Sequence, residues 1–157
     1  RGSTFISFAS LLHHASFTLK NMFGMIPDPI RSWWHGPKHK KMVSSIIDVN
    51  KVYHSLFNVF GICEALKNTA YHNPEGEHRS RFLSDVVYDV VKDMGIVVFG
   101  RNLLHLDAFL LSLMEGSIVV NDELNRKPIL LGQKEFGEFD QDVLLAAKRK
   151  VGDWLQP

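Results

Sequence analysis

At 157 residues with 45% hydrophobic content, the chain is the right size for one domain whose single core offsets the entropy of ordering it. Eighteen basic residues against seventeen acidic ones leave a formal charge of +1, which excludes the dense positive field of a non-specific nucleic-acid binder. Cys63 is the only cysteine; it excludes an internal disulfide and a two-cysteine zinc knuckle, and it fits a reducing, cytosolic compartment.

Arg1-Gly2-Ser3 has the look of an expression-tag remnant, so a single domain is expected over 4–157. From Thr4 to Phe23 the residues Phe5, Phe8, Leu12, Ala15, Leu19 and Phe23 recur at three- and four-residue steps before Gly24, which predicts a first helix. Met25 to Lys41 carries Pro27, Pro29 and Pro37 beside Trp33-Trp34 and a basic cluster, and reads as a loop. Ile46, Val49, Tyr53, Leu56, Phe60 and Cys63 form one stripe, widened by Val52 and Val59, which predicts a second helix from about Met42 to Leu66.

Asn73-Pro74-Glu75-Gly76 turns the chain, after which Phe82, Val86, Val90 and Met94 repeat every fourth residue beside Leu83, Val87 and Val91. This is a third helix, with Gly95 as its left-handed cap. Val97 to Met114 is apolar on nearly every side, the pattern of a central helix surrounded by protein. Arg101, Asn102, His105 and Asp107 interrupt that run, so it falls short of the roughly 18 apolar residues a membrane span needs. Residues 116–139 read as a long loop with a short hairpin at Ile118-Val119-Val120. Asp140 caps a last helix with the stripe Val143, Ala147, Val151 and Trp154. The chain stops soon after it, a position compatible with a trimmed end and a membrane tail beyond.

Chemistry-bearing motifs are scarce. His13-His14 face different ways on a helix and no HExxH spacing exists, so no metal site is expected. His105 and Asp107 lie about 200° apart around a helix axis and do not form a dyad. No phosphate loop and no nucleophile elbow is present, so neither an enzyme nor a cofactor is expected. Trp33-Trp34 read as aromatics plugging a gap where the loop crosses helices.

Two motifs carry a family resemblance. Asp93-Met94-Gly95 followed by Val98-Phe99-Gly100-Arg101 resembles the first homology motif of the Bcl-2 family, and Asp153-Trp154-Leu155-Gln156 resembles the start of its second. Phe57-Asn58-Val59-Phe60-Gly61 is similar to the third homology motif, BH3. Val98 and Phe99 replace the family's Asn and Trp, and Ile62 replaces its acidic residue, the pattern of a divergent viral or invertebrate member.

The resemblance implies an all-α, Bcl-2-like helical bundle in which amphipathic helices wrap a buried central helix. It implies a regulator of apoptosis that binds BH3 helices of pro-apoptotic partners in a hydrophobic groove, without nucleic acid or cofactor. The groove would be walled by Phe57, Phe60, Val87, Val90, Val91, Val98, Leu104 and Phe109. Gly100 would admit the ligand backbone and Arg101 would grip its aspartate. The expected location is cytoplasmic, at the mitochondrial outer membrane or endoplasmic reticulum if a tail anchors it. Sequestration in favour of survival is preferred. A Bax-like membrane permeabiliser and a helical adaptor or viral structural domain without BH3 binding are the alternatives.

Overall fold

The computed structural model describes residues 2–10, 17–66, 69–72, 77–79, 87–91, 95–114 and 122–137. The chain opens with β1 (Thr4–Ser10), then α1 (Phe17–Phe23), α2 (Ile30–His35), a 3₁₀ turn over Pro37–His39, and α3 (Met42–Leu56). β2 (Asn58–Ala65), β3 (Thr69–His72), β4 (His78–Arg79), β5 (Val87–Val91) and β6 (Ile96–Gly100) follow, and α4 (Leu103–Met114) and α5 (Asp122–Phe136) close the series.

Among the described residues two three-stranded sheets result, in the orders β1-β2-β6 and β3-β5-β4. β1 runs parallel to β2, with Ile6 opposite Phe60 and Phe8 opposite Ile62. β6 lies antiparallel on the other side of β2, with Gly61 opposite Gly100 and Cys63 opposite Val98. β5 is antiparallel to both of its neighbours. The parallel pair needs a long crossover, and α1 to α3 supply it.

Side chains alternate across the first sheet. Ser7, Ala9, Val59, Cys63 and Ala65 face inward and are buried. Ile6, Phe8, Val97 and Phe99 face outward and are exposed, with Phe60 and Phe99 rings 6.2 Å apart on that open face. The core therefore lies between the inner face and the helices, around Leu19, Met22, Ile46, Ile47, Leu103 and Leu104. Burying each such side chain contributes about 1.5–3 kcal/mol. Gly132 lets α5 approach closely, because a Cβ there would stand 2.7 Å from Leu104 Cδ1. Among the described residues no helix is long and apolar enough to cross a membrane.

This α/β architecture overturns the all-α bundle with a wrapped central helix. The first predicted helix is instead β1 followed by α1, because Ser7 and Ala9 are the inward positions of an alternating strand. The second stops at Leu56: Phe57 is extended (φ −130°, ψ 159°) and β2 follows at once. Val87, Val90 and Val91 belong to β5, where β-branched side chains suit a pleated surface, and not to a third helix. Val97 to Gly100 belong to β6, so the apolar helix starts only at Leu103. Gly95 is left-handed as expected (φ +68°), but it leads into a strand.

The predicted loop over 25–41 holds α2 and the 3₁₀ turn, and the predicted loop over 116–139 holds α5, which tolerates Pro128 in its interior. His13-His14, the turn at Asn73-Pro74, Asp93-Met94, the Ile118-Val119-Val120 hairpin and the final helix with Asp153-Trp154-Leu155-Gln156 lie outside the described residues.

Candidate functional site

α1 has only seven residues, too few to be stable as an isolated helix. Buried polar groups from three other elements hold it. Asp107 of α4, 1% exposed, accepts the Thr18 N–H at 2.9 Å and the Thr18 hydroxyl at 2.6 Å on Oδ1, and the Leu19 N–H at 3.1 Å on Oδ2. The Thr18 hydroxyl also lies 3.3 Å from the Leu103 carbonyl. Asn50 of α3 donates through Nδ2 to the Leu19 carbonyl at 2.8 Å, and Ser7 of β1 donates to the Thr18 carbonyl at 3.1 Å. Leu19 is thus clamped at both its N–H and its C=O. Burial pushes the Asp107 carboxyl up to about 7, against the opposing pull of its bonds from Thr18 and Leu19.

Leu19 and Leu103, fixed in this way, form with Leu104 the apolar floor of a cleft of about 290 Å³. His54 from the last turn of α3, Arg101 and Asn102 from the β6–α4 junction, and Phe136 from the end of α5 make its walls. The His54 ring leans on Phe136 with centroids 5.7 Å apart, and burial holds its imidazole below the ordinary histidine value. Asn102 caps α4: its Oδ1 accepts the His105 N–H at 3.1 Å, which turns Nδ2, a donor, to other use. Lys51 pairs with Glu135 at 2.6 Å and ties α3 to α5, the helices that carry His54 and Phe136. Arg101 is exposed, and no carboxylate among the described residues pairs with it.

The ten residues expected to wall a groove are distributed otherwise. Phe57 packs on Phe5 and Tyr53 at the end of α3. Phe60 is on the outer face of the sheet, while Leu104 is buried in the core on the inner side. Val98 and Gly100 are half-buried on β6, Phe109 is half-buried on α4, and Val87, Val90 and Val91 pair within the second sheet. Only Arg101 and Leu104 come together in the cleft. The sequence does not single out His54 or Phe136, and it marks Asn102 and Asp107 only as interruptions of an apolar run. The one available signal was Asp107, an acidic residue inside an otherwise apolar run, where an isolated charge requires buried donors.

Other groups offer less chemistry. Cys63 is buried and its thiol is pushed up to about 12, chiefly by burial, which leaves it protonated and inert. Lys20 is half-buried, and burial lowers its ammonium below the ordinary value. A second cavity, of about 400 Å³ and almost wholly apolar, lies between Ile26, Pro27, Trp34, Val52 and Tyr53. Trp34 lines it and Trp33 is 77% exposed, so the pair does not plug an internal gap. Among the described residues no group of three histidine, cysteine or acidic side chains could hold a metal.

The class of protein follows: an α/β domain with a small cleft of apolar floor and polar walls, built where helices meet the end of a mixed sheet. Residues 4–112 match the family described as "Domain of unknown function (DUF362)", and the chain belongs to that family. No curated protein and no solved structure matches it. Membership of this family, together with the mixed sheet, overturns the resemblance to the Bcl-2 family. Within the short motifs, Val98-Phe99-Gly100 and Asn58–Gly61 are strand sequences here, not helix surfaces.

Proposed function

We propose that this domain binds a small anionic molecule in the cleft between α3, the start of α4 and α5, with Arg101 as the charge that holds it. The observation that carries the reading is an exposed guanidinium with no carboxylate partner among the described residues, standing over a floor whose backbone is bolted in place. Leu19 is held through both of its peptide groups, and the Leu103 carbonyl lies within reach of the Thr18 hydroxyl. Buried polar bonds of this kind fix geometry in advance of binding, so less ordering is left for the ligand to impose. Arg101 and Asn102 Nδ2 bring donors to the rim and the leucines bring apolar surface to the base. That combination is the common composition of a small-molecule site.

The expectation of BH3-helix sequestration, with its mitochondrial setting, rested on the family resemblance and loses its support with it. Two-dimensional NMR with a panel of small organic anions tests the present reading. Saturable shifts should cluster at His54, Arg101 to Leu104 and Phe136, and should vanish in Arg101→Gln. A panel that produces no such cluster rejects it.

A further inference from the structure

Resting on the reading of the cleft as a binding site, we infer that its ligand is a monocarboxylate with a compact apolar body, in preference to a phosphate or a dianion. Three features of the cleft point to that class.

The first is charge. Arg101 is the one permanent cation among the lining residues. His54, the other basic group there, is biased towards its neutral form by burial beside Phe136. Lys51, one turn from His54 on α3, is committed to Glu135. A single positive charge complements a single negative one, whereas a phosphate dianion would bring a second charge into the cleft with no further cation among the described lining residues to meet it.

The second is geometry. The planar fork of an arginine matches the two oxygens of a carboxylate through parallel charge-assisted bonds. Asn102, whose Oδ1 is occupied by the His105 N–H, can add a donor only through Nδ2.

The third is the remainder of the surface. The Phe136 ring, with the edges of the otherwise buried Leu19, Leu103 and Leu104, makes about half of the lining apolar, so a body beyond the carboxylate meets hydrocarbon on that side of the cleft. A volume of about 290 Å³ falls at the small end of ligand sites, which suits a compact aromatic or branched aliphatic body. Phe136 lies outside the span 4–112 that matches the family, so this wall is contributed by the part of the chain beyond it.

The test compares phenylacetate, 2-phenylethanol, phenyl phosphate and inorganic phosphate as probes of the whole chain, by NMR titration of the His54 and Phe136 ring resonances. Phenylacetate should bind saturably. 2-Phenylethanol, which keeps the ring and loses the charge, should bind about tenfold more weakly. Arg101→Gln, at an exposed position that leaves the fold intact, should weaken phenylacetate by a similar factor. Phe136→Ala should weaken phenylacetate and 2-phenylethanol alike. Tighter binding of phenyl phosphate or inorganic phosphate than of phenylacetate overturns the ligand class while leaving the cleft as an anion site. Absence of saturable shifts with all four probes overturns the cleft reading itself, and equal affinity of phenylacetate for the wild type and Arg101→Gln overturns the role of Arg101.

Discussion

Asp107 Oδ2 accepts the backbone N–H of Leu19 at 3.1 Å although 88 residues of chain separate them. Through that bond the middle of α4 fixes the first turn of α1, and the crossover that joins the two parallel strands is anchored to a helix that follows the whole sheet. Asp107 is therefore a positioning residue for Leu19 and for the cleft floor, and it does not line the cleft.

Removing the carboxylate tests this. Asp107→Leu leaves the Thr18 and Leu19 N–H groups buried without acceptors, and each such group costs about 1–3 kcal/mol. Asp107→Asn keeps one oxygen but turns an amide N–H₂ towards a donor, so a loss of about 1–3 kcal/mol is expected for it as well. Urea unfolding should give Asp107→Leu the lower midpoint of the two. An Asp107→Leu protein as stable as the wild type would show that α1 does not depend on this anchor.

The same carboxyl makes stability depend on pH. Its ordinary value is 3.8 and burial raises it to about 7 in the folded protein. The folded state therefore holds a proton that the unfolded state has released throughout that interval. The stabilisation from the protonated form is complete below pH 3.8 and is lost as pH rises to about 7, at a rate on the order of 1 kcal/mol for each pH unit. Asp107→Asn cannot titrate there. The difference in unfolding free energy between wild type and Asp107→Asn should thus drift against the wild type as pH rises across the window; a flat difference would place the Asp107 carboxyl in the ordinary range.

Parts of this architecture are legible in the sequence. The stripe of Ile46, Val49 and Tyr53 marks α3, and the all-round apolarity after Asn102 marks α4. What misleads is the boundary between periods. No glycine or proline separates Leu56 from Asn58, and Phe60 and Cys63 fall by chance on the continuation of the α3 stripe, so strand β2 reads as more helix. β1 is apolar on both of its faces, since Ile6 and Phe8 stand on the open side of the sheet, and its alternation is masked. In α5 the opposite occurs: Pro128 and Gly132 suggest a loop, yet Gly132 is the place where Leu104 packs closest. The cleft was illegible for a related reason. Its walls come from residues near 54, 101 and 136, and only tertiary packing brings them together.

Cys63 gives a further check on the core. It is 1% exposed on β2, and its thiol is raised to about 12 by burial, with the nearby carboxylates of Asp107 and Glu64 acting in the same direction. Thiolate is the reactive form, so a thiol-specific reagent at mildly alkaline pH should leave the native protein unmodified and label it completely in denaturant. Rapid labelling of the native protein would mean that the inner face of the sheet is open to solvent.

Two glycines that pair across the sheet should respond unequally to the same substitution. Gly61 on β2 and Gly100 on β6 are register partners, yet their surroundings differ. A Cβ at Gly61 would run into Leu103 Cδ2 and stand 2.9 Å from Leu106 Cδ1, both on α4 where it packs on the strand. The nearest atom to a Cβ at Gly100 is Leu106 Cδ2 at 3.6 Å, an ordinary contact. Neither position has a positive φ, so backbone strain does not enter and the contrast is one of packing. Gly61→Ala should therefore cost about 1–3 kcal/mol through overpacking against a leucine that also floors the cleft, and it should weaken ligand binding as Leu103 shifts. Gly100→Ala should stay within about 0.5 kcal/mol of the wild type, since Gly100 closes β6 and a Cβ there meets only ordinary contacts. Thermal and urea unfolding of the two variants side by side decides the matter: equal stability would mean that α4 does not press on β2 as closely as the structure has it.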